Sequence, residues 1–156
     1  MREAIGWETR LMIDANQKWG VEESIVRIRA LQEVQPWWME EPTSPEDILG
    51  HARIRRETKP TRIATGEHCH NKVMFKQLMQ AQAIDVCQID SCRVAGVNEN
   101  LAIILMAKQF GIPVHTREVL GSANMCSIFQ RSTSCMFQER CRSGSLNLST
   151  TCTSIL

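Results

Sequence analysis

The 156-residue chain lacks a charge imbalance: 18 basic side chains stand against 17 acidic ones, a net of +1. That balance argues against a nucleic-acid partner and against an anionic membrane surface, both of which select clustered positive charge. The sequence also lacks a long hydrophobic run. Its longest purely apolar stretch, Leu101 to Ala107, falls far short of the roughly 20 residues a bilayer-spanning helix needs. The opening Met1-Arg2-Glu3-Ala4-Ile5-Gly6 has neither the apolar core of a signal peptide nor the acid-poor, Ser/Arg-rich character of a transit peptide. Nothing in it addresses the chain to an organelle. No two of the seven cysteines form a C-x-x-C pair. An odd count without a secretory signal reads as free thiols in a reducing, intracellular compartment.

What is present is a composition 43% hydrophobic, ordinary for a globular protein, in a length that suits one domain. Leu11-Met12-Ile13 is a short apolar run ending in Asp14-Ala15-Asn16-Gln17, after which Val21, Ile25, Ile28, Leu31 and Val34 recur at helical spacing. Pro36-Trp37-Trp38-Met39 is a second run, ending in Glu40-Glu41-Pro42. Ser44, Pro45 and Asp47 then predict a helix start, with a capping hydroxyl, a proline at the first position and an acid at the positive end of the dipole. Arg62-Ile63-Ala64-Thr65 leads into Gly66-Glu67 and a helix carrying Met74, Phe75, Leu78 and Met79. Ala83 to Ile89 leads into Asp90 and a helix carrying Leu101, Ile104 and Leu105, closed by Gly111 and Pro113. Val114 and His115 belong to a fifth strand. Strands joined by single helices predict an α/β fold with parallel pairing and right-handed crossovers.

Near residue 116 this order stops. Val119 to Leu156 holds eight serines, four threonines and four cysteines with no sustained period, so residues 117–156 are expected to form a low-order tail. Composition so unlike residues 1–116 would suit an alternative exon or a shifted reading frame.

Acids fall at the strand ends. Asp14, Glu40, Glu67 and Asp90 each stand where an apolar run gives way to a loop, at separations of 26, 27 and 23 residues. One unit of an eight-unit (β/α)₈ barrel is about 30 residues long, so the pattern predicts roughly five βα units of a TIM-type barrel. Acids at one level on neighbouring parallel strands, about 4.8 Å apart, would converge on the C-terminal mouth, where barrel active sites sit. Carboxylates held together repel unless a cation neutralises them, and oxygen-only ligands with positions left for water and substrate suit Mg²⁺. A single acid at a strand end is commonly a solvated loop residue or a helix cap, and spacing alone leaves both readings open. It also leaves Glu40 and Glu41 as alternatives, because strand alternation sends them to opposite sides. Trp37 and Trp38 are expected to be barrel packing, one facing in and one facing the helices. His68 and His70 beside Glu67 are read as loop residues near the mouth in preference to zinc ligands.

Leu11-Met12-Ile13-Asp14-Ala15-Asn16-Gln17, Trp38-Met39-Glu40-Glu41-Pro42, Gly66-Glu67, Ile89-Asp90 and Gly96-Val97 together resemble the mandelate racemase branch of the enolase superfamily, and within it the sugar-acid dehydratases. The resemblance covers residues 1 to 114. It implies that Asp14, Glu40 and Glu67 hold Mg²⁺, that Asn16 contacts substrate, and that Asp90 orients a catalytic histidine. The implied reaction is loss of water from a sugar acid, which gives a 2-keto-3-deoxy acid. The implied compartment is the mitochondrion.

The chain departs from that pattern twice. The Lys-x-Lys motif expected on the strand before Asp14 does not occur in it, and the histidine position, four residues past Pro113, holds Arg117. His115 faces the same way but two residues, about 6.6 Å, too deep. Arg117 is left either to pair with Asp90 or to remain solvated. The expectation is an incomplete enzyme, inactive on its own, with a sugar acid as the family's substrate. The alternative is a non-catalytic truncated form that acts, if at all, through interactions, with open barrel edges inviting chaperones or self-association.

Overall fold

The computed structural model describes residues 2–117. After a short N-terminal helix α1 (Arg2–Ile5), strands and helices alternate as β1 (Met12–Asp14), α2 (Val21–Leu31), β2 (Trp38–Glu40), α3 (Ile48–Glu57), β3 (Arg62–Thr65), α4 (Lys72–Gln80), β4 (Val86–Asp90), α5 (Val97–Phe110) and β5 (Val114–Arg117). The five strands form one parallel sheet in chain order, the arrangement a barrel builds one βα unit at a time. β5 runs through Arg117, past the point where the sequence pattern fades. The expected tail otherwise lies outside the described residues. No helix among those described is long and apolar enough to cross a membrane.

Alternation divides the sheet into two faces. Ile13, Met39 and Ile63 join Ile25, Ile28 and Ile54 in a cluster on the helix side, while Met12, Trp38, Ala64 and Val86 meet on the other face. Cys87 and Ile89 of β4 pack against Phe75, Leu78 and Met79 of α4 and Ile103, Ile104 and Ala107 of α5. The face away from the helices is concave. The rings of Trp38 on β2 and His115 on β5 meet at 5.4 Å, edge to face at 68°, although three strand spacings in a flat sheet would hold their strands about 14 Å apart. The sheet is a curled sector of a barrel.

Two expectations are corrected. α3 starts at Ile48, and its cap is Asp47, whose Oδ1 accepts from Gly50 N at 2.8 Å. Pro45 sits instead in a turn closed by Asp47 N donating to Ser44 O at 3.0 Å, where its fixed φ suits the second turn position. Trp37 does not face the helices. It precedes β2, so alternation does not yet govern it, and its ring meets the guanidinium groups of Arg10 (4.1 Å) and Arg62 (3.9 Å) beside the interior cluster. On α5, Leu101 and Leu105 point outward, 42% and 61% exposed, and Ile103 takes the buried stripe with Ile104 and Ala107.

Truncating Ile63, fully buried on the helix side, to alanine should cost about 2–5 kcal/mol. Leu105→Ala on the exposed stripe should stay within about 0.5 kcal/mol of wild type. Urea unfolding of the full chain followed by circular dichroism measures both.

Candidate metal centre

Register and alternation together aim the first two acids. Asp14 pairs directly with Glu40 across β1 and β2, and each lies two residues beyond an interior-facing neighbour, Met12 and Trp38. The pairing continues past the strand ends. Ala15 N donates to Glu40 O (2.9 Å), Gln17 N to Glu41 O (2.8 Å) and Glu41 N to Ala64 O (3.0 Å). Glu40 is buried, and Trp38 Nε1 donates to its Oε2 at 3.4 Å. Asp14 is exposed and accepts from Asn16 N at 2.8 Å, with Asn16 in the left-handed region at φ 48°.

The four acids are not at one register level. Glu40 pairs with Ala64, and Ala64 with Val86, so Glu67 stands three residues further along its strand direction and Asp90 four. Barrel shear, about one residue per strand, contributes to the offset, and Glu67 also lies two residues past the end of β3 at Thr65. Glu67 reaches its place through Gly66, whose φ is 133° and where a Cβ would run into the Gln88 carbonyl and the Phe75 ring.

Asp90 closes β4, almost fully buried. Its Oδ1 accepts from Cys92 N (2.8 Å) and its Oδ2 pairs with Arg93 Nε (3.3 Å). The backbone of Arg117 stands opposite Asp90, and His115 opposite Gln88, one inward position deeper, as expected. The proposed Asp90–Arg117 pairing concerns a side chain outside those described.

The structure joins Glu41 and His68, weighed separately in the sequence, with Gln17 into a second set of polar groups. Glu41, 1% exposed and at φ 40°, accepts from Gln17 Nε2 at 3.0 Å and from His68 Nδ1 at 2.7 and 2.8 Å. Ligand-capable atoms of Glu41, Glu67 and His68 all lie within 4.8 Å of one another. His70 is exposed and takes no part in that group. The one available signal was position: Glu41 and His68 directly follow Glu40 and Glu67. Behind them, burial and the Glu41 charge push the Cys69 thiol up to about 12, and burial raises Cys87 as well.

A family model described as enolase C-terminal domain-like matches residues 1–145, a span that runs beyond the described residues. Mitochondrial enolase superfamily member 1 of Xenopus laevis is 49% identical over 149 residues, 94% of this chain and 33% of that protein. The crystal structure of human Mitochondrial enolase superfamily member 1 matches with a TM-score of 0.74 at 54% identity, over 76% of this chain and 27% of that one. L-Talarate dehydratase from Polaromonas sp. JS666, crystallised with Mg and L-glucarate, matches with a TM-score of 0.72 at 29% identity, over 76% of this chain and 33% of that one. This chain spans about a third of the length of the curated relatives it matches.

Burial and raised pKa leave Cys69 and Cys87 as neutral, covered thiols, whereas Cys92 is exposed. Iodoacetamide applied to the native chain at pH 8 should therefore modify Cys92 at least tenfold faster than Cys69 or Cys87, an order-of-magnitude expectation from thiolate fraction and access. Peptide mapping measures the ratio, which should collapse in urea.

Proposed function

Because the chain belongs to the enolase C-terminal domain-like family, we propose that it carries the metal-holding side of a Mg²⁺-dependent sugar-acid dehydratase site, with L-fuconate as the substrate of the complete site. The observation that carries this reading is the direct register pairing of Asp14 with Glu40 on the concave face, with Glu67 two residues past the end of the next strand. The donor set is oxygen only, which fits a hard divalent cation that keeps positions for water and a substrate carboxylate. A relative of the same architecture, crystallised with Mg and L-glucarate, supports both the ion and the substrate class. The mitochondrial name of the closely similar vertebrate proteins supports the same compartment for this chain.

In this reading Asp14, Glu40 and Glu67 hold the cation, which offsets charge building up on the substrate carboxylate when the neighbouring C–H is deprotonated. Asn16, exposed beside Asp14, contacts the substrate. Asp90 orients whichever base stands on the adjacent strand, where the opposing position is Arg117. A guanidinium stays protonated in proteins and cannot accept the proton. The 156-residue chain by itself therefore binds the ion without turning over the sugar acid.

Calorimetry should show weak Mg²⁺ binding to wild type and none to Glu67→Gln; equal heats for the two would remove the metal reading. Wild type and Arg117→His should both fail to convert L-fuconate with Mg²⁺ present. One restored imidazole recovers at most one of two proton-transfer roles, each contributing about 10²–10⁴-fold. Metal-dependent formation of the 2-keto-3-deoxy product by either protein alone would contradict the assignment of inactivity.

A further inference from the structure

Three strand ends carry the candidate ligands Asp14, Glu40 and Glu67, and the same three ends carry Gln17, Glu41 and His68 a residue or a few further on. These last three are bonded to one another. Glu41 is the centre: its carboxylate, 1% exposed, takes Gln17 Nε2 at 3.0 Å from the β1 side and His68 Nδ1 at 2.7 and 2.8 Å from the β3 side. Backbone bonds run alongside, from Gln17 N to Glu41 O (2.8 Å) and from Glu41 N to Ala64 O (3.0 Å). Gln17 and Glu41 both occupy the left-handed region, at φ 61° and 40°. Neither is glycine, so each conformation is strained and persists only where surrounding contacts over-determine it.

Such a brace has a task. Parallel strands are fixed relative to one another only as far as their last ladder bond, and beyond it each chain turns away toward its own helix. Asp14 and Glu40 close their strands and Glu67 stands two residues past the end of β3, and carboxylates gathered there repel one another. The repulsion pushes the strand ends apart, and the charge-assisted bonds through Glu41, made in a buried setting, draw them together.

We propose that Glu41 and His68, with Gln17, are positioning residues for the metal site: a hydrogen-bonded belt that sets the spacing of the three strand ends and hence the size of ion they accept. The inference rests on the assignment of Asp14, Glu40 and Glu67 as ligands. Glu41 and His68 act on the ion through those carboxylates and do not touch it.

The test is Tb³⁺ luminescence of the full chain, with Tb³⁺ as a hard oxygen-seeking probe. Trp38 donates to Glu40 at 3.4 Å, so an ion held by Glu40 is excited through an indole a few ångströms away. Mg²⁺ and Ca²⁺ then compete for the site. Asp14→Asn, Glu40→Gln and Glu67→Gln should abolish the emission. Glu41→Gln and His68→Gln should weaken Tb³⁺ binding by about 10–100-fold, the usual effect of removing a group that orients a ligand. They should also shift the Mg²⁺/Ca²⁺ competition ratio toward the larger ion, because a slackened belt no longer holds the ligands at the shorter distance Mg²⁺ demands. That ratio is insensitive to the fraction of folded protein, so a variant that merely unfolds loses amplitude and keeps the wild-type ratio. An unchanged ratio in Glu41→Gln and His68→Gln overturns the positioning role. Emission abolished as completely as in Glu67→Gln overturns it too, by making the two residues ligands. No indole-excited emission from wild type removes the metal assignment itself, and the belt with it.

Discussion

Acids on neighbouring strands of a parallel sheet cannot separate without breaking the ladder, and this constraint governs the rest of the molecule. Asp14 and Glu40 are direct register partners, so their backbones are about 4.8 Å apart. Like charges on such neighbours repel unless partners or a cation offset them. The sheet tolerates the pair because it is anchored on its other face. Ile13, Met39 and Ile63 bury against Ile25, Ile28 and Ile54, and the β4 side is held by Phe75, Leu78, Ile103 and Ile104. Apolar burial on one face thus stabilises an electrostatically unfavourable arrangement on the other, as function on a rigid scaffold requires.

Four acids at the mouth are each met by a neighbouring group. Asp90 has Cys92 N and Arg93, Glu40 has the Trp38 indole, Asp14 has Asn16 N, and Glu41 has Gln17 and His68. Only Arg93 among these bears a permanent positive charge, and it serves Asp90 at the far side. The donors to Asp14, Glu40 and Glu41 in that set are a backbone N–H, an indole, a side-chain amide and an imidazole.

Much of this was legible in the sequence because the signals are local. An apolar run ending in an acid marks a strand and its end, and the helical spacing of Ile25 and Ile28 marks the face that covers it. What escaped depends on geometry between elements. The offset of Glu67 and Asp90 from the Asp14–Glu40 level depends on inter-strand register and on where each strand ends, which no single strand encodes. The outward turn of Leu101 and Leu105 reflects an α5 apolar nearly all round. There the choice of buried stripe falls to packing on α4 and to Asn100, which accepts from Ser91 Oγ at 3.2 Å and donates to Gly96 O at 2.9 Å. The Glu41 network was hidden because it depends on left-handed backbone at Gln17 and Glu41, residue types that do not announce that conformation. The adjacent acids Glu40 and Glu41 posed a choice that alternation answers in part: Glu40 follows the inward face of β2, and Glu41 lies beyond the strand with a role set by its neighbours.

The most direct measurement is the anomalous difference map of crystals of the full chain grown with Mn²⁺. The account predicts one strong peak at the mouth, within about 2.0–2.3 Å of carboxylate oxygens of Asp14, Glu40 and Glu67, with His68 and Glu41 bonded to each other and not to the ion. A peak ligated instead by Glu41, Glu67 and His68, or no peak at the mouth, would contradict it.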